Sequence, residues 1–124
     1  MIPKFRAWLK EEKRMTDVHE MTFMDGEVYL ISDVTGFYAY EEFKLMQSTG
    51  NKDKNGKEIF EGDIIKFSID NGFYYGVDEI GSVRYQLGAF HVDVFPLIDL
   101  IGDSEVEVIG NVYETQGLQD LLKD

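Results

Sequence analysis

Three carboxylates lie close together near the middle of the chain, at Glu58, Glu61 and Asp63. Neighbouring carboxylates serve as general acids and bases, and they are also the ligands that calcium and magnesium prefer. Their spacing matches no Asp-rich calcium loop. The simpler interpretation is that all three face water at the mouth of a small barrel. A metal-assisted hydrolase built on them is the weakest of three functional hypotheses.

The other residue types that perform catalysis occur without a recognisable motif. His19 and His91 are far apart in the sequence, and neither has a partner motif, so we interpret both as surface or satisfied histidines. The serines lack a nucleophile-elbow context, and no glycine-rich phosphate loop precedes a helix. The chain contains no cysteine, which excludes disulfides and thiolate chemistry. We expect a protein that is not an enzyme and that has no metal or cofactor.

The basic residues are concentrated in two segments of a chain whose net charge is −12. Residues 1–14 carry five basic and two acidic side chains, and residues 44–57 carry four basic and one acidic. If these segments meet in space, they form a positive patch suited to a phosphate or to an acidic protein. Solvated turns whose lysines aid solubility are the simpler alternative. Lys52, Lys54 and Lys57 are the candidate binding residues of this patch.

The overall charge disfavours nucleic acid as a partner, because cationic side chains supply most of the nonspecific affinity for phosphates. Binding of a single strand through the lysines of residues 44–57 and a nearby aromatic side chain remains the alternative function. Within the protein-binding hypothesis, the acidic surface also permits mimicry of DNA charge towards a host protein, which composition does not separate from simple solubility.

The aromatic residues favour protein recognition, because aromatic side chains dominate interface hot spots. We assign more than half of them to packing. The exceptions that we predict to bind a partner are Trp8, Phe73, Tyr74 and Tyr75. The last three are consecutive and cannot all point to one side of a strand, so at least one of them is expected to be exposed.

Short β-strands separated by turns are predicted along most of the chain. Strands are expected at residues 5–9 and 28–31, the second after a turn at Asp25 and Gly26. Residues 35–46 fit either a strand with an irregular exit or a single helical turn around Tyr40 to Phe43. Alternation predicts further strands around Val83 and Tyr85, around Phe90, Val92 and Val94 up to Pro96, and at residues 106–113. Leu118, Leu121 and Leu122 share one face of a predicted terminal helix, which folds back or docks a second subunit.

A polar, turn-rich segment, residues 46–65, is the most distinctive part of the sequence, and we call it the signature segment. Asn55 and Gly56 favour a tight turn, because both tolerate positive φ. After this turn, Ile65, Phe67 and Ile69 alternate with more polar residues, which predicts a strand over residues 63–70 with one buried face. Gly62 directly before it suits a bulge or a sharp bend.

The signature segment resembles the YopX-like family of phage and prophage proteins. The matching residues are Met46, Gln47, Thr49, Gly50, residues 52–59 and residues 61–64. Residues 4–8, with Lys10, Lys13 and Met15, are similar to the amino end of that family, and residues 107–114 to its carboxyl-end motif. Leu9, Ser48 and Asn51 depart from the residues that are common in the family.

The resemblance implies a mainly β protein of phage origin. It implies a small SH3-like barrel in the carboxyl part, which we assign to residues 46–124, and a less regular β-rich amino part, residues 1–45. We expect the two parts to form one cooperative unit, with the short terminal helix that the leucine spacing predicts. It brings no established activity and no catalytic residues. A composition of 44% apolar and 14% aromatic residues suffices for one core, and no apolar run reaches the roughly 20 residues of a membrane helix. We therefore expect a non-enzymatic adaptor in the host cytoplasm that binds a host or phage protein, away from membranes, with homo-oligomerisation left open.

Overall fold

The computed structural model describes residues 4–70 and 72–115, which fall into two compact units divided between Ser48 and Thr49. Both units are mainly β. The predicted boundary after residue 45 stays a prediction. The predicted terminal helix on Leu118, Leu121 and Leu122 lies outside the described residues.

The first unit consists of short antiparallel strands. They are β1 (Phe5–Leu9), β2 (Arg14–Asp17), β3 (Glu20–Met24), β4 (Glu27–Ser32), β5 (Phe37–Ala39) and the start of β6 (Phe43–Lys52). β1 lies between β2 and β6, and β4 lies between β3 and β5. Apolar side chains from these strands form one core, whose buried members are Ala7, Leu9, Ile31 and Phe43.

The second unit contains the end of β6 and a five-stranded antiparallel sheet that curls into a half-barrel. Its elements are β7 (Glu58–Phe60), β8 (Asp63–Asp70), β9 (Tyr75–Gln86), β10 (Ala89–Val92), β11 (Phe95–Pro96), the helix α1 (Leu97–Asp103) and β12 (Glu107–Asn111). The order in the sheet is β11-β10-β9-β8-β12. Its core is made by Ile59, Ile65, Phe67, Ile69, Val83, Val92, Leu97, Leu100 and Val106.

The predicted mainly β class, with a barrel-like carboxyl part, is confirmed. The strand predicted at residues 63–70 is β8, and its alternating residues Ile65, Phe67 and Ile69 are buried as expected. Ile64 was expected on the other face but is also fully buried, as is Ile65, so both faces of β8 are covered at its start. Residues 35–46 were expected to form either a strand or a single helical turn, and both are present one after the other. Strand β5 leads into one 3₁₀ turn, Tyr40–Glu42, which is followed by β6.

Two parts of the second unit differ from the sequence prediction. Val94 was expected to continue the strand of Phe90 and Val92, but it is 81% exposed in the turn between β10 and β11. The strand of Phe90 and Val92, β10, ends at Val92, whereas Pro96 ends the separate strand β11 and precedes α1, which the sequence pattern did not indicate. This helix has seven residues, too few to be stable alone, and the burial of Leu97 and Leu100 stabilises it. No helix in the described part of the chain is long and apolar enough to cross a bilayer.

Gly62 makes the sharp entry into β8 that its position suggested. Its φ is +88°, a left-handed conformation that residues with a Cβ adopt only at a cost. In this conformation its N–H donates to the carbonyl of Val83 (2.8 Å), and its own carbonyl accepts the N–H of Val112 (2.9 Å). One glycine thus links the start of β8 to β9 and to the residue after β12.

Replacing Gly62 by alanine should lower the free energy of unfolding by about 1–2 kcal/mol, the cost of a Cβ in left-handed backbone. Gly102→Ala is the matched control, because a Cβ there meets nothing within 4 Å and alanine favours the helix α1 by about 0.5–1 kcal/mol. Urea unfolding followed by circular dichroism measures both variants. Equal stabilities of the two variants would contradict the role given to Gly62.

Candidate functional site

The three consecutive aromatic residues Phe73, Tyr74 and Tyr75, which we call the aromatic tip, lie where β8 turns back into β9. Phe73 is fully exposed, Tyr75 is 73% exposed and Tyr74 is 45% exposed. A cluster of large apolar side chains with this much exposure is unusual, and such clusters commonly mark interaction sites. At least one of the three was expected to be exposed, and all three are.

Tyr74 anchors the aromatic tip to the body of the second unit. Its ring lies 5.3 Å from that of Phe95, which in turn lies 6.2 Å from the buried ring of Phe67. Its hydroxyl donates to Oε1 of Glu79 (3.3 Å), and the negative charge of Glu79 raises the pKa of Tyr74. The exposed rings on either side therefore extend from a supported base.

The other predicted binding residues are distributed over both units. Lys52 ends β6, and Lys54 and Lys57 lie in the following turn, all three exposed. Trp8 is half-buried on β1, where its backbone pairs with Lys44 and Met15. The hypothesis of a single positive patch formed by the two basic segments stays a prediction.

An open groove of about 520 Å³ lies in the second unit beside the aromatic tip. Its walls come from the last residues of β8, the start of β9 and the residues between α1 and β12. Nζ of Lys54 lies 3.9 Å from Oε2 of Glu105, and Nζ of Lys66 lies 3.6 Å from Oε1 of Glu107. Lys54, a predicted phosphate ligand, thus has a carboxylate beside it.

Asp53 locks the turn of the signature segment to the distant strand β12. Its Oδ1 accepts the N–H groups of Asn55 (2.9 Å) and Lys57 (2.8 Å), and its Oδ2 accepts that of Val108 (2.9 Å). Burial raises the pKa of this carboxyl, but these three donors and the charge of Lys57 outweigh burial and hold the pKa below its ordinary value. Asp53 was not a candidate in the sequence, although Asp two residues before Asn-Gly is a signal for such a turn.

Backbone contacts complete this lock. The N–H of Lys54 donates to the carbonyl of Val106 (2.9 Å), and the N–H of Gly56 donates to that of Asp53 (3.0 Å). Gly56 has a φ of +81°, as expected for the predicted Asn55-Gly56 turn. The most distinctive segment of the sequence therefore has a structural explanation.

The expectation that Glu58, Glu61 and Asp63 all face water is wrong for Asp63. This residue is 1% exposed, and its Oδ2 accepts the N–H of Phe60 (2.8 Å), which closes the turn between β7 and β8. A carboxylate with that role is a poor candidate for proton transfer. Within residues 4–70 and 72–115, no three His, Cys, Asp or Glu side chains are grouped to hold a metal ion.

The carboxyl-end motif contains a third turn of this kind. Oδ1 of Asn111 accepts the N–H groups of Tyr113 (3.0 Å) and Glu114 (2.8 Å), and its Nδ2 donates to Oε1 of Glu114 (2.9 Å). Asn111 is 9% exposed, so its amide satisfies these turn donors away from water.

The first unit has its own buried carboxylate, Asp33, which the sequence analysis missed. Its Oδ1 accepts the hydroxyl (2.6 Å) and N–H (2.7 Å) of Thr35 and the N–H of Gly36 (3.0 Å), while Oδ2 accepts the hydroxyl of Thr16 (2.8 Å) and Nη2 of Arg14 (3.2 Å). The Thr35 hydroxyl, foremost among these donors, holds the pKa of Asp33 well below its usual range. The Asp-x-Thr-Gly pattern is the local signal for this turn.

These features define a class: a small, mainly β protein with a half-barrel unit in which buried polar side chains fix three turns. The chain belongs to the YopX family, since the family model described as "YopX protein" matches residues 4–120, nearly its whole length. The resemblance seen in the signature segment is thereby confirmed.

The chain is also similar to a protein of known crystal structure, EF1440 from Enterococcus faecalis. The two are 29% identical, with a TM-score of 0.73, and the alignment covers 95% of this chain and 98% of that one. Among curated proteins, none matches the chain significantly.

Asp53→Ala should lower the free energy of unfolding by at least about 2 kcal/mol, because three backbone N–H groups lose a charged acceptor. Asp53→Asn should fall between this variant and the wild type, since its one oxygen replaces only part of the carboxylate. Asp99→Ala, at an exposed acidic residue of the same unit, is the control and should cost less than about 1 kcal/mol. Urea unfolding measures the three variants. Equal losses of the free energy of unfolding in Asp53→Ala and Asp99→Ala would contradict the role given to Asp53.

Acid should remove the contribution of Asp33 to stability. A carboxyl whose pKa is depressed in the folded state stabilises fully above its unfolded pKa of about 4, and this stabilisation is lost as the pH falls through the folded value. The stability difference between the wild type and Asp33→Asn should therefore shrink below about pH 4. Fluorescence of Trp8, the single tryptophan, reports the first unit in urea titrations. If the stability difference between the wild type and Asp33→Asn stayed constant below about pH 4, the lowered pKa of Asp33 would be contradicted.

Proposed function

We propose that this protein is a non-enzymatic adaptor of phage or prophage origin that binds a host or phage protein through the aromatic tip of its second unit. The observation that carries the proposal is the exposure of Phe73 and Tyr75 on either side of the anchored Tyr74. Family membership supports the phage context, and we place the protein in the host cytoplasm.

Two exposed aromatic residues on either side of an anchored one suit protein binding for an energetic reason. Aromatic side chains bury a large area and lose few rotatable bonds, so they are enriched among hot-spot residues of interfaces. Phe73 and Tyr75 extend from a hairpin whose base is fixed by the ring of Phe95 and the carboxylate of Glu79. A partner would therefore meet a surface that is already ordered, at a small entropic cost.

The absence of enzymatic activity is part of the proposal and is supported by what the carboxylates do. Asp53 and Asp63 accept backbone N–H groups within turns, and Asp33 does the same in the first unit. We do not extend the proposal to nucleic acid, because the lysine best placed at the groove, Lys54, lies beside the Glu105 carboxylate.

Phe73→Ala should reduce capture of the partner by the tagged protein from host lysate at least about tenfold, the loss expected when about 1.4 kcal/mol of binding energy is removed. Leu87→Ala is the matched control, because Leu87 is 95% exposed in the turn between β9 and β10. Quantitative mass spectrometry after nuclease treatment measures recovery. Undiminished capture by Phe73→Ala, or recovery that nuclease abolishes, would overturn the proposal.

A further inference from the structure

Strand β8 has an open edge over its last residues. β12 pairs with β8 only as far as Lys66, which lies opposite Glu107, whereas β9 pairs with β8 as far as Asp70, opposite Tyr75. Among the described residues, positions 68–70 therefore have a strand neighbour on one side only. Unpaired backbone groups at a strand edge are a template for the addition of another strand.

One side chain occupies the place of the missing strand. The N–H of Ser68, which points to the open edge, donates to Oγ of Ser104 (3.2 Å), and Oγ of Ser104 donates in turn to the carbonyl of Glu105 (3.3 Å). Ser104 directly follows α1. This hydroxyl satisfies a single amide at the upper end of the ordinary N–H···O distance, and a peptide carbonyl would offer that amide an equivalent acceptor.

The groove described above lies along this edge. Its volume of about 520 Å³ is within the range of about 300–1,000 Å³ that is typical of ligand sites. Tyr75 and Val77 on β9 contribute apolar surface to it and are 73% and 57% exposed. A segment whose side chains enter this groove would contact both.

The excess negative charge of the groove favours a ligand with basic side chains. Its charged lining residues are Lys54, Lys66, Asp70, Asp78, Glu105 and Glu107. Both lysines already lie beside glutamates, so the excess negative charge belongs to Asp70 and Asp78. Both aspartates are exposed, and neither forms an ion pair within the described part of the chain.

We propose that the open edge of β8 at residues 68–70 binds an extended peptide segment of the partner by β-strand addition. Basic side chains on the face of that segment that meets the groove contact Asp70 and Asp78, and their aliphatic stems pack on Tyr75, which lies opposite Asp70, and on Val77. The proposal rests on the adaptor function and adds the chemical class of the partner: a strand with alternating basic and apolar residues.

A synthetic peptide of about eight residues, alternating lysine and valine and capped at both ends, is the probe. Titration of the ¹⁵N-labelled protein should shift the amide resonances of Ser68 and Asp70. The same peptide with N-methyl groups at every second residue loses its backbone donors along one edge and should bind at least about tenfold more weakly. Equal binding of both peptides, or shifts confined to other residues, would overturn strand addition.

Two variants test the charge requirement. The double variant Asp70→Asn/Asp78→Asn should weaken binding of the lysine peptide at least about fivefold, whereas Asp99→Asn should leave it unchanged. Asparagine is suited to position 78, whose φ is +52°, because it tolerates left-handed backbone. Equal loss in both variants would reject the assignment of these two aspartates.

Two further outcomes separate this inference from the adaptor proposal. If capture from lysate depends on Phe73 but neither the peptide nor Asp70→Asn/Asp78→Asn reduces it, strand addition is rejected and the adaptor function stands. If the Ser68 amide resonance shifts with protein concentration alone, the edge binds a second copy of this chain, which also overturns the peptide proposal.

Discussion

The second unit depends on the hydrogen bonds between the carboxylate of Asp53 and three backbone N–H groups. A buried charge is costly, and here N–H donors repay that cost in the low-dielectric interior. Because one donor belongs to Val108, the turn of the signature segment and the outer strand β12 are held together. These hydrogen bonds also place Lys54 where its N–H donates to the carbonyl of Val106 and its ammonium group lies near the Glu105 carboxylate. One side chain therefore connects the most distinctive segment of the sequence with one wall of the groove.

The same physical device recurs at three further turns among the described residues. Asp33, Asp63 and Asn111 each accept backbone donors in a turn, and each side chain is largely removed from water. A mainly β chain with short strands has many turns, and each turn leaves backbone groups without a strand partner. Short polar side chains satisfy these groups at low entropic cost. Asp63, one of the three acidic residues that suggested chemistry in the sequence, thus stabilises a turn.

The proposed binding surface follows from the unequal lengths of neighbouring strands. β9 accompanies β8 to its end, while β12 stops opposite Lys66. This difference leaves one edge of β8 available beside the aromatic tip, with exposed rings at the end and carboxylates along the side. An aromatic tip anchored through Tyr74 and an open edge offer two complementary contributions, apolar area and directional hydrogen bonds. Neither requires a reactive group.

The sequence by itself determined the local elements. Alternation marked β8, the pair Asn55 and Gly56 marked the main turn, and the motif residues identified the family, because each signal depends on neighbours along the chain. Tertiary structure decided that Asp53 reaches Val108, 55 residues away, and where β12 stops. It also decided the short helix α1, which is stable only through its buried leucines. These features require registers and contacts between distant segments, and no single segment encodes them.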